Sequence, residues 1–181
     1  MEEREAIYRA LGFDVKRVKF RKFRGYAGDK EMSRATKDGK DYFIRKDPGS
    51  YTKIMHLQDS VPHMAKFALP QRGYILTEIA PGTLLSDLDV IPDAASIERQ
   101  LIEFANATKK HRLVHGDIRQ WNVLLNTDGS IKVIDWNSSR FGDSNVDIED
   151  VAKLGRLMRG EIGFFEAWNW RPAECAPWHK P

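Results

Sequence analysis

The sequence is poor in cysteine and in long apolar runs, and these absences exclude several classes of protein. Cys175 is the only cysteine in 181 residues, so an internal disulfide is impossible and a reducing compartment such as the cytoplasm is expected. No apolar run reaches the roughly 20 residues of a membrane-spanning helix. The first residues are charged and contain no apolar core of a secretory signal. We therefore expect neither a membrane span nor a disulfide scaffold.

An excess of one charge is also missing. The 29 Lys and Arg side chains nearly balance the 26 Asp and Glu side chains, and the net charge of +3 is not concentrated in a polybasic tail. Such a balance favours anionic ligands such as nucleotides but does not predict nucleic-acid binding. Basic residues in the segment 15–23 alternate with Val18 and Phe20, which predicts a half-exposed strand. The aromatic rings that would stack on bases lie on its opposite face, which disfavours a nucleic-acid surface.

The most informative stretch is 113–136, which reads LVHGDIRQWNVLLNTDGSIKVIDW. Its two short apolar runs flank a Thr-Asp-Gly turn and predict a β-hairpin. Asp117 and Asn122 precede the first run, and Asp135 follows the second. The hairpin therefore predicts that the three side chains lie together at one end of a ribbon. Two carboxylates and an amide oxygen suit phosphoryl transfer, in which one group orients a hydroxyl and two hold Mg²⁺.

This segment resembles the catalytic and metal-binding loops of the protein-kinase-like superfamily, His-x-Asp-x-x-x-x-Asn followed by apolar-Asp-aromatic. The resemblance implies that Asp117 orients the attacking hydroxyl and that Asn122 and Asp135 ligate Mg²⁺ on ATP. It also implies that Arg119 stabilises charge on the transferred phosphate. His115 is expected to support the loop rather than to act as the base.

The resemblance covers most of the chain and extends to the nucleotide site. Gly25 and Gly28 lie where kinase-like proteins place a phosphate-binding loop, without completing its glycine motif. A strand over Tyr42–Lys46, after a hairpin turn at Asp38-Gly39, should end in a cation that reaches the phosphates. Arg45 suits the apolar continuity of the strand, whereas Lys46 offers a compact ammonium on a flexible stem. The sequence leaves both open, and Lys46 is preferred.

The run from Thr77 to Gly82 resembles the kinase hinge. On that match Thr77 is the gatekeeper, and backbone groups of Glu78 and Ala80 face adenine. The implied fold is α+β and bilobal, with a small antiparallel-sheet N-lobe and a truncated helical C-lobe. The chain is expected to form a single kinase-like domain, with residues 1–80 in the first lobe and 81–181 in the second. A helix over Pro92–Lys110 would mount the catalytic loop and turn one apolar face inward. The positions of this face are Ile97, Leu101, Phe104, Ala105 and Thr108.

Two departures from the family pattern bear on control. The segment 47–74 contains no glutamate, so the usual partner of the strand cation is missing and Gln58 or Asp59 is a candidate substitute. Gly116 replaces the arginine that pairs with a phosphorylated activation loop. Activity without phosphorylation, or with an activating protein partner, is therefore expected. Asp150 is predicted to brace the backbone of the catalytic loop from the following helix.

The resemblance implies an ATP- and Mg²⁺-dependent phosphotransferase. Arg119 favours an atypical minimal serine/threonine protein kinase, similar to RIO-type kinases or to compact kinases that bacteria deliver into a host cytosol, with a protein hydroxyl as acceptor. The His115-Gly116-Asp117 and Ile-Asp-Trp motifs are typical of aminoglycoside- and lipopolysaccharide-type kinases and favour a small-molecule or sugar acceptor. The missing glutamate favours a third alternative, a pseudokinase that acts as a binding module.

Overall fold

The computed structural model describes residues 2–20, 30–47 and 49–168. Within these residues the chain combines a five-stranded antiparallel sheet with a second region of helices and short strands. The predicted α+β, bilobal kinase-like fold is confirmed. Gly25 and Gly28 lie outside the described residues, as does the predicted tail beyond residue 168. The assignment of the whole chain to one domain stays a prediction.

The longer strands lie in the first half of the chain, and the two longest helices lie in the second. The helices are α1 (Glu3–Ala10), α2 (Ser50–Ile54), α3 (Ala94–Lys110), α4 (Val146–Met158) and α5 (Phe164–Trp168). The strands are β1 (Asp14–Phe20), β2 (Lys30–Lys37), β3 (Lys40–Lys46), β4 (Phe67–Gln71), β5 (Tyr74–Glu78), β6 (Thr83–Leu84), β7 (Leu113–Val114), β8 (Val123–Leu125), β9 (Ile131–Val133) and β10 (Arg140–Phe141). Single 3-10 turns lie at Met55–Leu57, Leu85–Asp87, Gln120–Asn122 and Trp136–Ser138.

The N-lobe sheet has the strand order β1-β2-β3-β5-β4. The predicted hairpin at Asp38-Gly39 joins β2 to β3, with Lys37 paired to Lys40. Both turn residues have positive φ, 52° and 73°, as a two-residue turn that matches the twist of the strands requires. This register places Phe43 opposite Thr77 on the neighbouring β5.

The two faces of this sheet are buried by different parts of the chain. Helix α1 covers the outer face, where Tyr8, Ile44 and Leu76 belong to one apolar cluster. Glu5 is 3% exposed within this region and accepts hydrogen bonds from Arg17 Nε at 2.8 Å and from Ser33 Oγ at 3.1 Å. The bond from Arg17 is the main cause that holds the pKa of Glu5 below its usual value. The inner face of the sheet is left for the second lobe.

The larger core lies in the second lobe, where α3 and α4 pack beside the hairpin formed by β8 and β9. The inward positions predicted for α3 are all buried, namely Ile97, Leu101, Phe104, Ala105 and Thr108. The helix begins after Asp93, whose side chain accepts the Ser96 N–H at 2.9 Å and caps it. None of the described helices is long and apolar enough to cross a membrane.

The predicted catalytic hairpin is confirmed. Val123 pairs with Val133, and Leu125 pairs with Ile131. The same ribbon continues on its other side into β6, where Thr83 pairs with Leu125. Because β6 follows the hinge directly, this three-stranded sheet connects the segment that leaves the first lobe to the catalytic loop.

Candidate active site

A cavity of about 450 Å³ lies between the inner face of the N-lobe sheet and the catalytic hairpin. This volume suits a small-molecule ligand. Its lining comes from β3, the hinge segment and the residues that directly precede and follow the catalytic hairpin. It includes Phe43, Arg45, Thr77, Glu78, Ile79, Ala80, Trp121, Asn122, Asp135 and Asn137. Residues from distant parts of the sequence that were predicted to contact nucleotide and metal therefore border one space.

Asn122 is the best-defined polar group of the cavity. It is 1% exposed, and its Nδ2 donates to the carbonyl oxygen of Asp117 at 2.9 Å and to its carboxylate at 2.8 Å. These two bonds fix the amide orientation. The opposite atom, Oδ1, is buried and has no hydrogen-bond partner among the described residues. A buried amide oxygen without a partner is costly, and in a native protein it points to a ligand that is not present.

Asp135 lies directly after the hairpin with a backbone conformation that is unusual for its type. Its φ is 63°, in the left-handed region that residues with a side chain rarely adopt. Its Oδ1 accepts a hydrogen bond from Asn137 Nδ2 at 2.7 Å and lies 3.4 Å from Arg45 Nη1. The side chain is 16% exposed, so the carboxylate is held at the cavity wall while part of it faces the open space.

Arg45, and not Lys46, enters the cavity. Side chains of a strand alternate between its faces, and Ile44 points outward into the cluster under α1. Phe43 and Arg45 therefore share the inner face and line the cavity, whereas the Lys46 side chain is exposed. The preference for Lys46 is corrected by this placement.

Asp117 does not line the cavity itself but lies next to Asn122 at its edge. Arg119 Nε approaches Asp117 Oδ1 at 2.8 Å. The guanidinium carbon of Arg119 also lies over two indole rings, 5.5 Å from the centroid of Trp121 and 5.1 Å from that of Trp168. Cation–π contacts of this kind restrain the arginine beside the carboxylate. Trp168 is 7% exposed, and its contact with Arg119 has no signal in the sequence.

The catalytic loop is braced from behind mainly by Asp147 and, through one longer bond, by Asp150. The two carboxylate oxygens of Asp147 accept the backbone N–H groups of His115 at 2.8 Å and Gly116 at 2.9 Å. Asp150 accepts one longer bond, from Ile118 N at 3.4 Å. Burial raises the pKa of Asp150 to about 6. The prediction that Asp150 braces the loop is confirmed by its bond from Ile118 N, but the sequence missed the larger share of the brace, which Asp147 carries.

His115 supports the loop, as predicted. It is fully buried, its ring lies edge-on to Trp136 at 4.6 Å, and its Nδ1 accepts the Asp117 N–H at 3.3 Å. Nε2 lies 3.0 Å from the Ile134 carbonyl oxygen, which requires the proton on Nε2. Burial lowers the pKa of His115. A neutral ring with both nitrogens engaged in this way is a structural group and not a free base.

The hinge residues Thr77, Glu78 and Ala80 border the cavity. Thr77 is buried, and its Oγ1 has no hydrogen-bond partner among the described residues. Gly82 follows with φ of 126°, and a Cβ there would lie 2.8 Å from the Leu125 carbonyl oxygen. Only glycine permits this close approach, so the Pro-Gly pair lets the chain enter β6 against the catalytic hairpin.

Neither candidate substitute for the missing glutamate reaches the cavity. Gln58 Oε1 accepts the Phe67 N–H at 2.7 Å, and Asp59 pairs with Lys66 on the surface. The residue of the short helix α2 that reaches the site is Tyr51, whose hydroxyl donates to Asn137 Oδ1 at 2.6 Å.

Comparison with known proteins adds a family match. Residues 36–178 match the family described as APH, phosphotransferase enzyme family. The matched segment begins in β2 and includes the cavity, the catalytic hairpin and α4. The predicted resemblance to the protein-kinase-like superfamily is confirmed.

Individual relatives are more distant. The chain is 33% identical to the cell division control protein 2 homolog 3 of Trypanosoma brucei brucei over 88 residues, which are 49% of this chain and 24% of that protein. It is 27% identical to the O-antigen chain terminator bifunctional methyltransferase/kinase WbdD of Escherichia coli over 123 residues, 61% of this chain and 17% of that protein. It is 28% identical to the human cyclin-dependent kinase-like 2 over 76 residues, 39% of this chain and 15% of that protein. The chain thus spans a quarter or less of the length of each.

Proposed function

Because the chain belongs to the phosphotransferase enzyme family, we propose that it is a kinase that transfers the γ-phosphoryl group of ATP to an alcohol. The single observation that carries the proposal is the buried Oδ1 of Asn122, which has no protein partner among the described residues and lines the same cavity as the Asp135 carboxylate. An amide oxygen and a carboxylate at one cavity wall are the protein ligands expected at a nucleotide-bound Mg²⁺.

The oxygen atoms of Asn122 and Asp135 suit Mg²⁺ that is shared with a nucleotide better than they suit a metal ion held by protein side chains alone. No group of three or more His, Cys, Asp or Glu side chains that could hold a metal ion occurs in the described ranges. Mg²⁺ usually takes one or two protein oxygens and completes its shell with water and substrate phosphates. Asn122 and Asp135 would hold it here. When bound, the ion neutralises charge on the phosphate oxygens.

The remaining residues act through charge and position. The ATP base would lie against the hinge at Glu78 and Ala80, with Thr77 behind it, and Arg45 would supply positive charge to the phosphates. Asp117 would accept or orient the proton of the attacking hydroxyl. Arg119, held at 2.8 Å from Asp117, would stabilise negative charge on the transferred group.

Two classes of acceptor are supported by different observations. A protein serine or threonine is supported by Arg119, which lies beside Asp117 where serine/threonine kinases place a lysine. A small hydroxyl compound or sugar is supported by Gly116. Its φ is 80°, and a Cβ there would lie 3.0 Å from Arg140 Nη1 and 3.1 Å from the Ser138 carbonyl oxygen. The arginine of phosphorylation-controlled kinases therefore has no room at this position.

The proposal is tested by incubating the protein with [γ-³²P]ATP, Mg²⁺ and two acceptor mixtures, one of proteins and one of sugars and aminoglycosides. We expect label on one mixture and none with Asp135→Asn, which removes a metal ligand. Asp143→Asn changes the same charge at an exposed position and should transfer label normally. The proposal fails if the folded protein neither transfers label nor binds ATP.

A further inference from the structure

Helix α2 is connected to Asp135 by a chain of hydrogen bonds. Tyr51 is 1% exposed, and its ring packs against Phe67 with a centroid distance of 5.0 Å. Its hydroxyl donates to Asn137 Oδ1 at 2.6 Å, and Asn137 Nδ2 donates to Asp135 Oδ1 at 2.7 Å. Residues 86 positions apart in the sequence, Tyr51 and Asn137, thus link the first lobe to the proposed metal ligand.

The direction of these hydrogen bonds follows from chemistry. An ionised carboxylate only accepts hydrogen bonds, so the NH₂ group of Asn137 must face Asp135. Its amide oxygen then faces Tyr51, whose hydroxyl must donate. Burial raises the pKa of Tyr51 to about 12, so the hydroxyl keeps its proton at neutral pH and remains a donor.

Asp135 needs such support. Its left-handed φ of 63° is unfavourable for a residue with a Cβ, so contacts outside its own backbone must hold the carboxylate in place. Arg45 is one such contact, but it lies 3.4 Å away and is the cation proposed to contact the nucleotide phosphates. The bond from Asn137 is shorter and does not depend on a group that a nucleotide would engage.

We propose that Tyr51 is a positioning residue that holds Asp135 through Asn137. In this protein it links α2 to the active site, where related kinases use a glutamate on the equivalent helix to pair with the strand cation. The inference rests on the proposed function, because it assumes that Asp135 holds the metal on ATP. It goes beyond that function by assigning a role to two residues that have no part in the proposed reaction itself.

The test measures ADP binding by calorimetry with and without Mg²⁺, so that the metal-dependent gain in affinity is separated from nucleotide binding itself. Tyr51→Phe keeps the ring and its packing and removes only the hydroxyl. We expect the Mg²⁺-dependent gain to fall roughly 10-fold or more, the range for groups that orient a metal ligand, while ADP binding without metal is unchanged. Asn137→Ala should give a similar loss, and the double variant should lose little more than either single one.

Tyr8→Phe is the matched control. Tyr8 is also fully buried, and its hydroxyl donates to the Leu69 carbonyl oxygen at 2.9 Å, but it lies in the cluster under α1 and does not line the cavity. The Tyr8→Phe variant should bind Mg²⁺ and ADP like the parent protein. The inference is overturned if Tyr51→Phe retains the full metal-dependent gain, or if Tyr8→Phe loses as much. If the unmodified protein shows no metal-dependent ADP binding, the proposed function itself fails, and the inference fails with it.

Discussion

The back and the front of the catalytic loop differ in how completely their polar groups are paired. Behind the loop, Asp147 accepts two backbone N–H groups, and both ring nitrogens of His115 have partners. At the front, Asn122 Oδ1 and Thr77 Oγ1 are buried without hydrogen-bond partners among the described residues. Buried polar groups in native proteins are normally paired. The difference teaches that the back is complete as protein structure, whereas the front keeps buried polar groups that the proposed nucleotide and metal would pair.

The largest expected effect is a loss of turnover on substituting Asp117, at the front of the loop. Asp117→Ala should lower turnover by roughly 10²–10⁴-fold, the range for a positioned acid–base group, with little change in ATP affinity or in the free energy of unfolding. Steady-state kinetics and a thermal melt measure the two quantities, with Asp143→Ala as an exposed control. A large loss of ATP affinity with turnover intact would show that Asp117 contacts the nucleotide instead.

A substitution behind the loop should lower the stability of the fold. Asp147→Ala leaves the N–H groups of His115 and Gly116 buried without an acceptor, and each such group costs about 1–3 kcal/mol. We expect the free energy of unfolding to fall by about 2–6 kcal/mol in urea titrations. The control is Glu149→Ala, an exposed acid in the first turn of the same helix. Equal free energies of unfolding for the two variants would show that Asp147 does not stabilise the catalytic loop.

The sequence predicted what depends on local spacing and missed what depends on long-range packing. The catalytic hairpin and the inward face of α3 follow from apolar periodicity, which acts within one element. The Tyr51–Asn137 contact joins helix α2 to the 3-10 turn after the catalytic hairpin, and no local pattern reports it. The Lys46 preference is a different kind of error, since the alternation of Phe43, Ile44 and Arg45 already places the arginine on the inner face.

Helix phase explains why the sequence missed the brace from Asp147 behind the loop. Asp147 and Asp150 lie three residues apart in α4, so both face the same side at different heights. The sequence indicates an acid in this turn but cannot decide which carboxylate meets the loop backbone, because that depends on how α4 packs against α3. The structure assigns the two short bonds to Asp147. Asp150 is half-buried.

The smallest expected effect is the pH dependence that Asp150 adds to stability. Burial is the main cause that raises its pKa from 3.8 to about 6, while the bond from Ile118 N and the charges of Lys153 and Arg119 oppose the shift. The folded state therefore binds more protons than the unfolded state between these two values, so the stability contribution of Asp150 is present at low pH and is lost as the pH rises through about 6. At neutral pH the charged carboxylate costs on the order of 1 kcal/mol once solvent screening of a half-buried group is allowed for.

Asp150→Asn should therefore be more stable than the parent protein by about this amount at neutral pH, and the difference should shrink towards about pH 4. Urea unfolding over this range measures the difference, and Glu149→Gln, exposed on the same helix, should show no such trend. If Asp150→Asn is the less stable protein at neutral pH, the ionised carboxylate belongs to the fully paired back of the loop after all.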